Sequence, residues 1–273
     1  MEDAQTLAAV GSWLGLREQV CVVTGGGSGI GAETARLLGR LGAHVAVVDL
    51  DGPAALAVAE SIEQGTGRAI GLCCDVGNAQ SVQNAADAVL QHLGPCRILV
   101  NNAAARYRSS LLDFPLEAWN RVLAVNLTGP LLCSQAFARQ MVEAGQGGSL
   151  VHIGSVLGQH AQLDAGAYSA SKAGLAMLNR SLSVELAPHR IRSNMVSPGF
   201  VRTPANEASY ADPAVRAARE ALIPSGRAGS PADLAQAIVM LASDRAGYVN
   251  GEDIQVDGAV ANTLLARVPR PDR

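Results

Sequence analysis

Seven short apolar, β-branched runs alternate with longer amphipathic stretches along nearly the whole chain, and this alternation constrains the fold more than any other feature. The runs cover residues 20–24, 44–49, 69–75, 98–101, 149–155, 192–197 and 253–256. Most are apolar on both faces, as a parallel sheet covered by helices requires. The intervals carry helical periodicity, as in 30–41, 81–92 and 233–243. Ser230 and Pro231 read as the N-cap and first-turn proline of the last of these. Strand alternating with helix implies right-handed βαβ units, hence a single α/β domain built on a doubly wound parallel sheet with helices on both faces.

With 273 residues and 48% hydrophobic side chains, one undivided α/β domain can bury a large core, and with 3% aromatics that core must be aliphatic. No linker, 20–50-residue repeat or low-complexity block interrupts it. The tail, residues 267–273, holds two prolines and three arginines and reads as frayed or packed on another subunit. A net charge of -3 gives no electrostatic case for nucleic acid or an anionic membrane. Glu2 and Asp3 precede the apolar stretch 7–16, a poor match to a secretory signal, and no window approaches the ~18 apolar residues of a membrane span. The five cysteines form no C-x-x-C pair and no zinc-like spacing with histidine, which suggests reduced thiols in a cytoplasmic protein. Cys73 and Cys74, adjacent in an apolar run, read as packing residues.

Thr24-Gly25-Gly26-Gly27-Ser28-Gly29-Ile30-Gly31 joins the first strand to the first helix. Glycines permit positive φ and let backbone approach a pyrophosphate, while the helix N-terminus offers unpaired N–H groups to phosphate. The spacing is G-x-x-x-G-x-G rather than the general G-x-G-x-x-G, and a glycine-rich turn alone is equally a structural turn. Asp49, at the end of the second strand, strengthens the nucleotide reading. A carboxylate there accepts from the adenosine ribose hydroxyls and repels a 2′-phosphate. Asp51 adds negative charge, and no Arg or Lys occurs from 42 to 67, so NAD is expected over NADP.

Tyr168 and Lys172 stand at i and i+4 in Tyr-Ser-Ala-Ser-Lys, opening a helix expected to run to Glu185, so both lie on one helical face. A phenol with an ordinary pKa of ~10 is a poor base near neutrality. A neighbouring ammonium favours the phenolate, which can take or return the proton of an alcohol. Ser155, at the end of a strand, can hydrogen-bond the oxygen where charge develops. The chain has twenty arginines and one lysine, and that lysine is Lys172. A lone lysine falls four residues after one of four tyrosines by chance in roughly one or two sequences in a hundred. Guanidinium cannot replace a compact ammonium in a proton relay, which explains a single retained lysine better than an exposed surface role does. Asn126 lies in a helix expected over 116–141. Pro130, four residues on, has no N–H, so the Asn126 carbonyl loses its usual donor. It either holds a water that links Lys172 to solvent or marks a simple kink.

Taken in order, Thr-Gly-x-x-x-Gly-Ile-Gly at 24–31, Asp75-Val76, Asn101-Asn102-Ala103, Asn126, Ser155, Tyr168 with Lys172, and Pro198-Gly199 resemble the short-chain dehydrogenase/reductase family over about residues 16–262. The resemblance implies a Rossmann-like single domain spanning 1–273 with about seven strands, and a tetrad of Asn126, Ser155, Tyr168 and Lys172. It assigns an NAD site to Gly25, Ser28, Gly29, Ile30, Gly31, Asp49 and Leu50, with adenine contacts at Asp75 and Val76. Asn102, Ala103, Tyr168, Lys172, Pro198 and Gly199 would line the cofactor, and Val201 and Thr203 would reach the nicotinamide amide. It also implies a homotetramer, with the helices over 116–141 and 168–187 at one interface. Two departures stand out: Ala104 and Ala259 occupy positions where the family usually has glycine.

The substrate, a small alcohol or ketone, should meet 105–108, 156–162 and 200–223, the last resembling the family's variable lid. Arg106, Arg108 and Arg202 can meet an acidic substrate, though among twenty arginines surface solvation is the plainer reading. His160 is a further candidate contact, and no histidine pattern suggests a metal. The expected activity is NAD-dependent hydride transfer between nicotinamide and a secondary alcohol or ketone. Alternatives are a 3-oxoacyl-thioester reductase and an NAD-bound scaffold without turnover; the intact relay argues against the scaffold. A sugar-nucleotide epimerase or dehydratase would need a larger C-terminal domain.

Overall fold

The computed structural model describes residues 2–64 and 67–263. The chain opens with α1 (Glu2–Leu14), β1 (Val20–Thr24), α2 (Gly29–Arg40), β2 (His44–Asp49), α3 (Gly52–Glu63) and β3 (Arg68–Cys73). It continues through α4 (Ala79–His92), β4 (Ile98–Asn101), α5 (Leu116–Leu123), a π-helical turn (Ala124–Thr128), α6 (Gly129–Ala144) and β5 (Gly148–Ile153). The last third holds α7 (Gly166–Glu185), β6 (Ile191–Pro198), α8 (Pro213–Glu220), α9 (Pro231–Ala242) and β7 (Asp253–Val256). The seven strands form one parallel sheet in the order β3-β2-β1-β4-β5-β6-β7, the Rossmann-like doubly wound arrangement. The tail 267–273 lies outside the described residues, and no helix among the described residues is long and apolar enough to cross a membrane.

The apolar side chains of the strands feed two cores. In β1, Cys21 and Val23 face one side with Val45 and Val47 of β2, under α2, α3 and α9. Val20 and Val22 face the other with Ala46 and Val48, under α4 and α6. Successive side chains of an extended strand point to opposite faces, so a strand covered on both sides must be apolar throughout. The scarcity of aromatics leaves Phe137 as the largest fully buried apolar side chain. Ser230 caps α9 by accepting from the Asp233 N–H, and the Asp233 carboxylate accepts from the Ser230 N–H in return.

Several expected boundaries shift. The third strand stops at Cys73, not 75, because Asp75 turns its N–H onto the Ser81 hydroxyl and accepts from Gly77. The fifth stops at Ile153, leaving Ser155 as the cap of a following 3-10 turn. The helix expected over 116–141 is two helices around a π turn, in which the Gly129 N–H donates to the Ala124 carbonyl. Pro130 has no N–H to continue the regular ladder, so the backbone widens there. Of the adjacent cysteines, Cys74 is buried but Cys73 is exposed on the edge strand, so only Cys74 packs. Extended neighbours cannot both face the core. All five cysteines are free thiols.

Ala259, where the family usually has glycine, takes φ 70. Asp257 holds it there by accepting from the N–H groups of Ala259 and Ala261. A β-carbon in left-handed backbone is strained. Ala259→Gly is therefore expected to raise stability by about 0.5–1 kcal/mol after the glycine entropy cost. A urea-unfolding midpoint that stayed put or fell would refute strain at this turn.

Candidate active site

The sheet order reverses between β1 and β4, and open parallel sheets form a crevice at the carboxyl ends of the strands beside such a point. A cleft of about 740 Å³ lies here. It is lined by Gly25, Ser28, Gly29, Ile30, Asp49, Leu50, Asp75, Val76, Asn102, Ala103, Ser155, Tyr168, Lys172, Pro198, Gly199, Val201 and Thr203, which the sequence had scattered over 179 positions. Ala104 lines it too. Two expected site residues do not line it: Gly31 lies beneath the turn, and Asn126 is fully buried.

The glycine-rich turn is fastened to the end of β4. Thr24 Oγ1 donates to the Val100 carbonyl and accepts from the N–H groups of Asn102 and Ala103 at 3.0 and 3.1 Å. Asn102 Nδ2 donates back to the carbonyls of Thr24 and Gly25. Gly25 has φ +60, and a β-carbon there would meet Ala103 Cα at 2.8 Å; one on Gly31 would meet the Gly25 carbonyl oxygen at 2.1 Å. Only glycine allows so tight a cradle. Ser28 precedes α2 without a side-chain cap, leaving the helix N–H groups directed to the cleft end. Asp49 is fixed by two amides, with Oδ2 accepting from Gly27 at 2.8 Å and Oδ1 from Asp51 at 3.0 Å. Asp51 itself caps α3, accepting from Ala54. Asp75 pairs with Arg121 at 3.0 Å. Desolvation pushes the Asp75 carboxyl up, but the Arg121 and Gly77 hydrogen bonds outweigh it and hold its pKa below the usual value. The cradle and the helix N-terminus behind it fit the pyrophosphate of a dinucleotide.

Tyr168, Lys172 and Ser155 converge at the middle of the cleft, each under 8% exposed. Lys172 Nζ donates to the Ile153 carbonyl at 2.6 Å and lies 5.6 Å from the Tyr168 ring centre. The Ser155 hydroxyl accepts from the Leu157 N–H. Burial alone would raise the Tyr168 pKa, but the charges of Lys172 and Arg106, with hydrogen bonds from Arg106 and Ser155, bring it below 10. Burial also lowers the Lys172 pKa, against the opposing pull of Tyr168. Arg106 Nη2 donates to the Tyr168 oxygen at 3.1 Å, with its guanidinium 4.5 Å from the ring centre. Nothing in the sequence spacing links residue 106 to residue 168, so Arg106 looks there only like a solvated or substrate-facing charge. Arg202 instead pairs with Glu207, and neither it nor His160 lines the cleft.

Asn126 acts locally through its side chain. Oδ1 accepts from the Ala105 N–H at 2.7 Å, and Nδ2 donates to the Ala105 carbonyl and to Ser171 Oγ. It thus ties the loop after β4 to α7, a role invisible in the sequence. A second unforeseen group is His152, fully buried beneath the site. Its Nδ1 faces Asn101 Nδ2 at 3.2 Å, its Nε2 faces Ser193 Oγ at 3.1 Å, and Ser193 donates to Asn179. Asn101 Nδ2 can only donate, so the ring is neutral with the proton on Nε2. Burial, helped by the Lys172 charge, lowers the His152 pKa to about 3. Among the described residues no cluster of His, Cys, Asp and Glu is arranged to hold a metal ion.

The family profile described as enoyl-(acyl carrier protein) reductase matches residues 25–260. A cis-4-hydroxycyclohexanecarboxylate dehydrogenase of Sinomonas cyclohexanicum is 41% identical, over 88% of this chain and 96% of its own. A short-chain type dehydrogenase/reductase from Mycobacterium marinum superposes with TM-score 0.85 at 36% identity, covering 90% of this chain and 96% of that one. A gluconate 5-dehydrogenase from Burkholderia cenocepacia, in complex with NADP and tartrate, gives TM-score 0.85 at 31% identity over 90% and 96% of the two chains.

His152 yields a pH prediction. Below the unfolded-state value of 6.5 the unfolded chain takes up a proton that the folded chain refuses, so stability falls with pH from about 6.5 toward 3. The contribution approaches about 1.4 kcal/mol per pH unit. By NMR the His152 ring should stay neutral at pH 4.5; titration near 6.5 would contradict the buried network.

Proposed function

The chain belongs to the short-chain dehydrogenase/reductase family and is an oxidoreductase, and from that premise we propose that it oxidises a secondary alcohol, or reduces the ketone, with NAD and with Tyr168 as general acid/base. The observation that carries this reading is the buried Tyr168–Lys172 pair facing a cleft whose other end is a glycine cradle beside Asp49. In it, Gly25, Ser28, Gly29, Ile30 and Gly31 would hold the pyrophosphate. Asp49 and Leu50 would meet the adenosine ribose, and Asp75 and Val76 the adenine. Asn102, Ala103, Pro198, Gly199, Val201 and Thr203 would line the nicotinamide half. When bound, the nucleotide supplies the acceptor or donor of a hydride.

The chain's own residues handle the proton. Ser155 orients the substrate oxygen, and the Tyr168 phenolate removes the hydroxyl proton in oxidation and returns it in reduction. Lys172 favours the phenolate and anchors to the Ile153 carbonyl. The Asn126 carbonyl, denied its helical donor by Pro130, is the proposed acceptor for a water joining Lys172 to solvent. A carboxylate-bearing alcohol is the substrate named for the Sinomonas relative, and a nucleotide with a 2′-phosphate is bound by the Burkholderia enzyme. For this chain NAD is favoured, because Asp49 is locked in place by two amides and would repel that phosphate. Exposed Leu116, Met177 and Val184 on the outer faces of α5 and α7 support the homotetramer that the family resemblance implies. A 3-oxoacyl-thioester reductase is the second reading, and the matched profile's description names an enzyme that acts on another acyl carrier thioester.

Absorbance of reduced nicotinamide over a panel of polyols, hydroxy acids, steroids and 3-oxoacyl thioesters tests the reading. Tyr168→Phe should lower kcat by about 100-fold or more while NADH binding persists. Where hydride transfer limits the rate, alcohol oxidation should quicken with pH, with a midpoint below 10 because the Tyr168 pKa is lowered. A profile flat between about pH 6 and 10 would count against phenolate chemistry. Asp49→Asn should shift the NAD/NADP ratio of kcat/KM toward NADP by about tenfold. A wild type faster with NADPH would overturn the cofactor assignment, and NADH binding without any turnover would favour a scaffold.

A further inference from the structure

We propose that the substrate is a hydroxy acid whose carboxylate is clasped by Arg106; this rests on the dehydrogenase reading above and narrows its substrate class.

The argument begins with the charges around the cleft. Among its described lining residues, the acidic side chains are Asp49 and Asp75. Both belong to the far end: Asp49 is held by the amides of Gly27 and Asp51, and Asp75 pairs with Arg121. Arg106 and Lys172 stand beside Tyr168, and Arg108 and Arg219 also line the cleft, Arg219 with its guanidinium 4.9 Å from the Tyr210 ring centre. None of these four forms an ion pair with a described residue, whereas Arg121, Arg202 and Arg227 each do. The half of the cleft where the alcohol must sit is therefore cationic and uncompensated.

Arg106 is also fixed in place, unlike a freely solvated arginine. Its guanidinium stacks on the Tyr168 ring at 4.5 Å and donates to the phenol oxygen at 3.1 Å. That oxygen is the one the substrate hydroxyl needs. A carboxylate gives a guanidinium a stronger, forked partner than a phenol does. On binding, the acid draws Arg106 away from the phenol oxygen and frees it for the carbinol. A neutral alcohol offers no such exchange and must compete with the Arg106 N–H. Because Nη2 starts 3.1 Å from the phenol oxygen, the carboxylate must lie within a few bonds of the carbinol. That excludes acyl thioesters whose anionic groups are remote.

Two measurements test this. The first is calorimetric binding of cyclohexanecarboxylate and cyclohexanecarboxamide to the enzyme saturated with NADH. The acid should bind about 10- to 100-fold tighter than the amide. The preference should collapse to under about threefold in Arg106→Gln and survive in part in Arg106→Lys. Equal binding by wild type, or an undiminished preference in Arg106→Gln, overturns the proposal. NADH fluorescence checks that each variant is folded. The second measurement compares kcat/KM for 2- and 3-hydroxybutanoate with their methyl esters. At least one acid should exceed its ester about tenfold or more in wild type, and that ratio should fall in Arg106→Gln. Turnover of neutral alcohols alone sinks this inference and leaves the dehydrogenase reading standing. An enzyme that turns over no alcohol sinks that reading, while the calorimetric arm still judges Arg106.

Discussion

An ammonium buried beside a phenol is the constraint around which the rest of this site is organised. Lys172 is 2% exposed, and taking such a charge out of water costs several kcal/mol unless polar groups receive it. The Ile153 carbonyl at the end of β5 receives it directly. The next turn must then pass close over α7. A β-carbon at Gly158 would press on the Lys172 and Ala173 backbone at 3.1–3.3 Å, so glycine there lets the 3-10 turn settle. Ser155 begins that turn and is carried to the cleft with it. The i, i+4 pair, the strand end and the turn are one mechanical unit.

Beneath that unit the sheet carries a polar spine. Asn101, His152 and Ser193, on β4, β5 and β6, pass a chain of hydrogen bonds to Asn179 on α7. Each member is buried and each bond has a donor and an acceptor in the right sense. A fully satisfied polar network rigidifies its surroundings, whereas one missing member would leave a costly orphan. Asn126 adds a second tie, from the π turn to the loop after β4 and to Ser171. The loop bearing Arg106 thereby holds a defined position over Tyr168. Ala104, on the same loop, lines the same cleft.

The two ends of the cleft are electrostatically opposite. The nucleotide end keeps its carboxylates saturated by backbone amides or by Arg121, fixing their direction rather than neutralising the cleft. The reacting end holds the Arg106 guanidinium and the Lys172 ammonium against Tyr168. The two ends are built by different loops at different strand ends.

What the sequence by itself determined is whatever depends on neighbours along the chain. Runs apolar on both faces dictated buried parallel strands, and glycine spacing dictated the turn after β1. The lone lysine four residues after a tyrosine dictated a shared helical face. A doubly wound parallel sheet also followed from the alternation of strand and helix, while the strand order came from the tertiary structure. Tertiary structure alone decided what depends on distant segments meeting. Arg106 reaches Tyr168 across sixty-two positions, and His152 is neutral because it is buried near Lys172, with Asn101 and Ser193 fixing its tautomer. Cys73 is exposed because β3 lies at the sheet edge. The third strand ended at Cys73 and the long helix opened at Ala124 for a related reason. Local hydrogen-bond competition, by the Ser81 hydroxyl and by the missing N–H of Pro130, outweighs the apolar pattern that would have carried both elements further. Periodicity records burial, but it holds no record of which remote donor or charge completes a site.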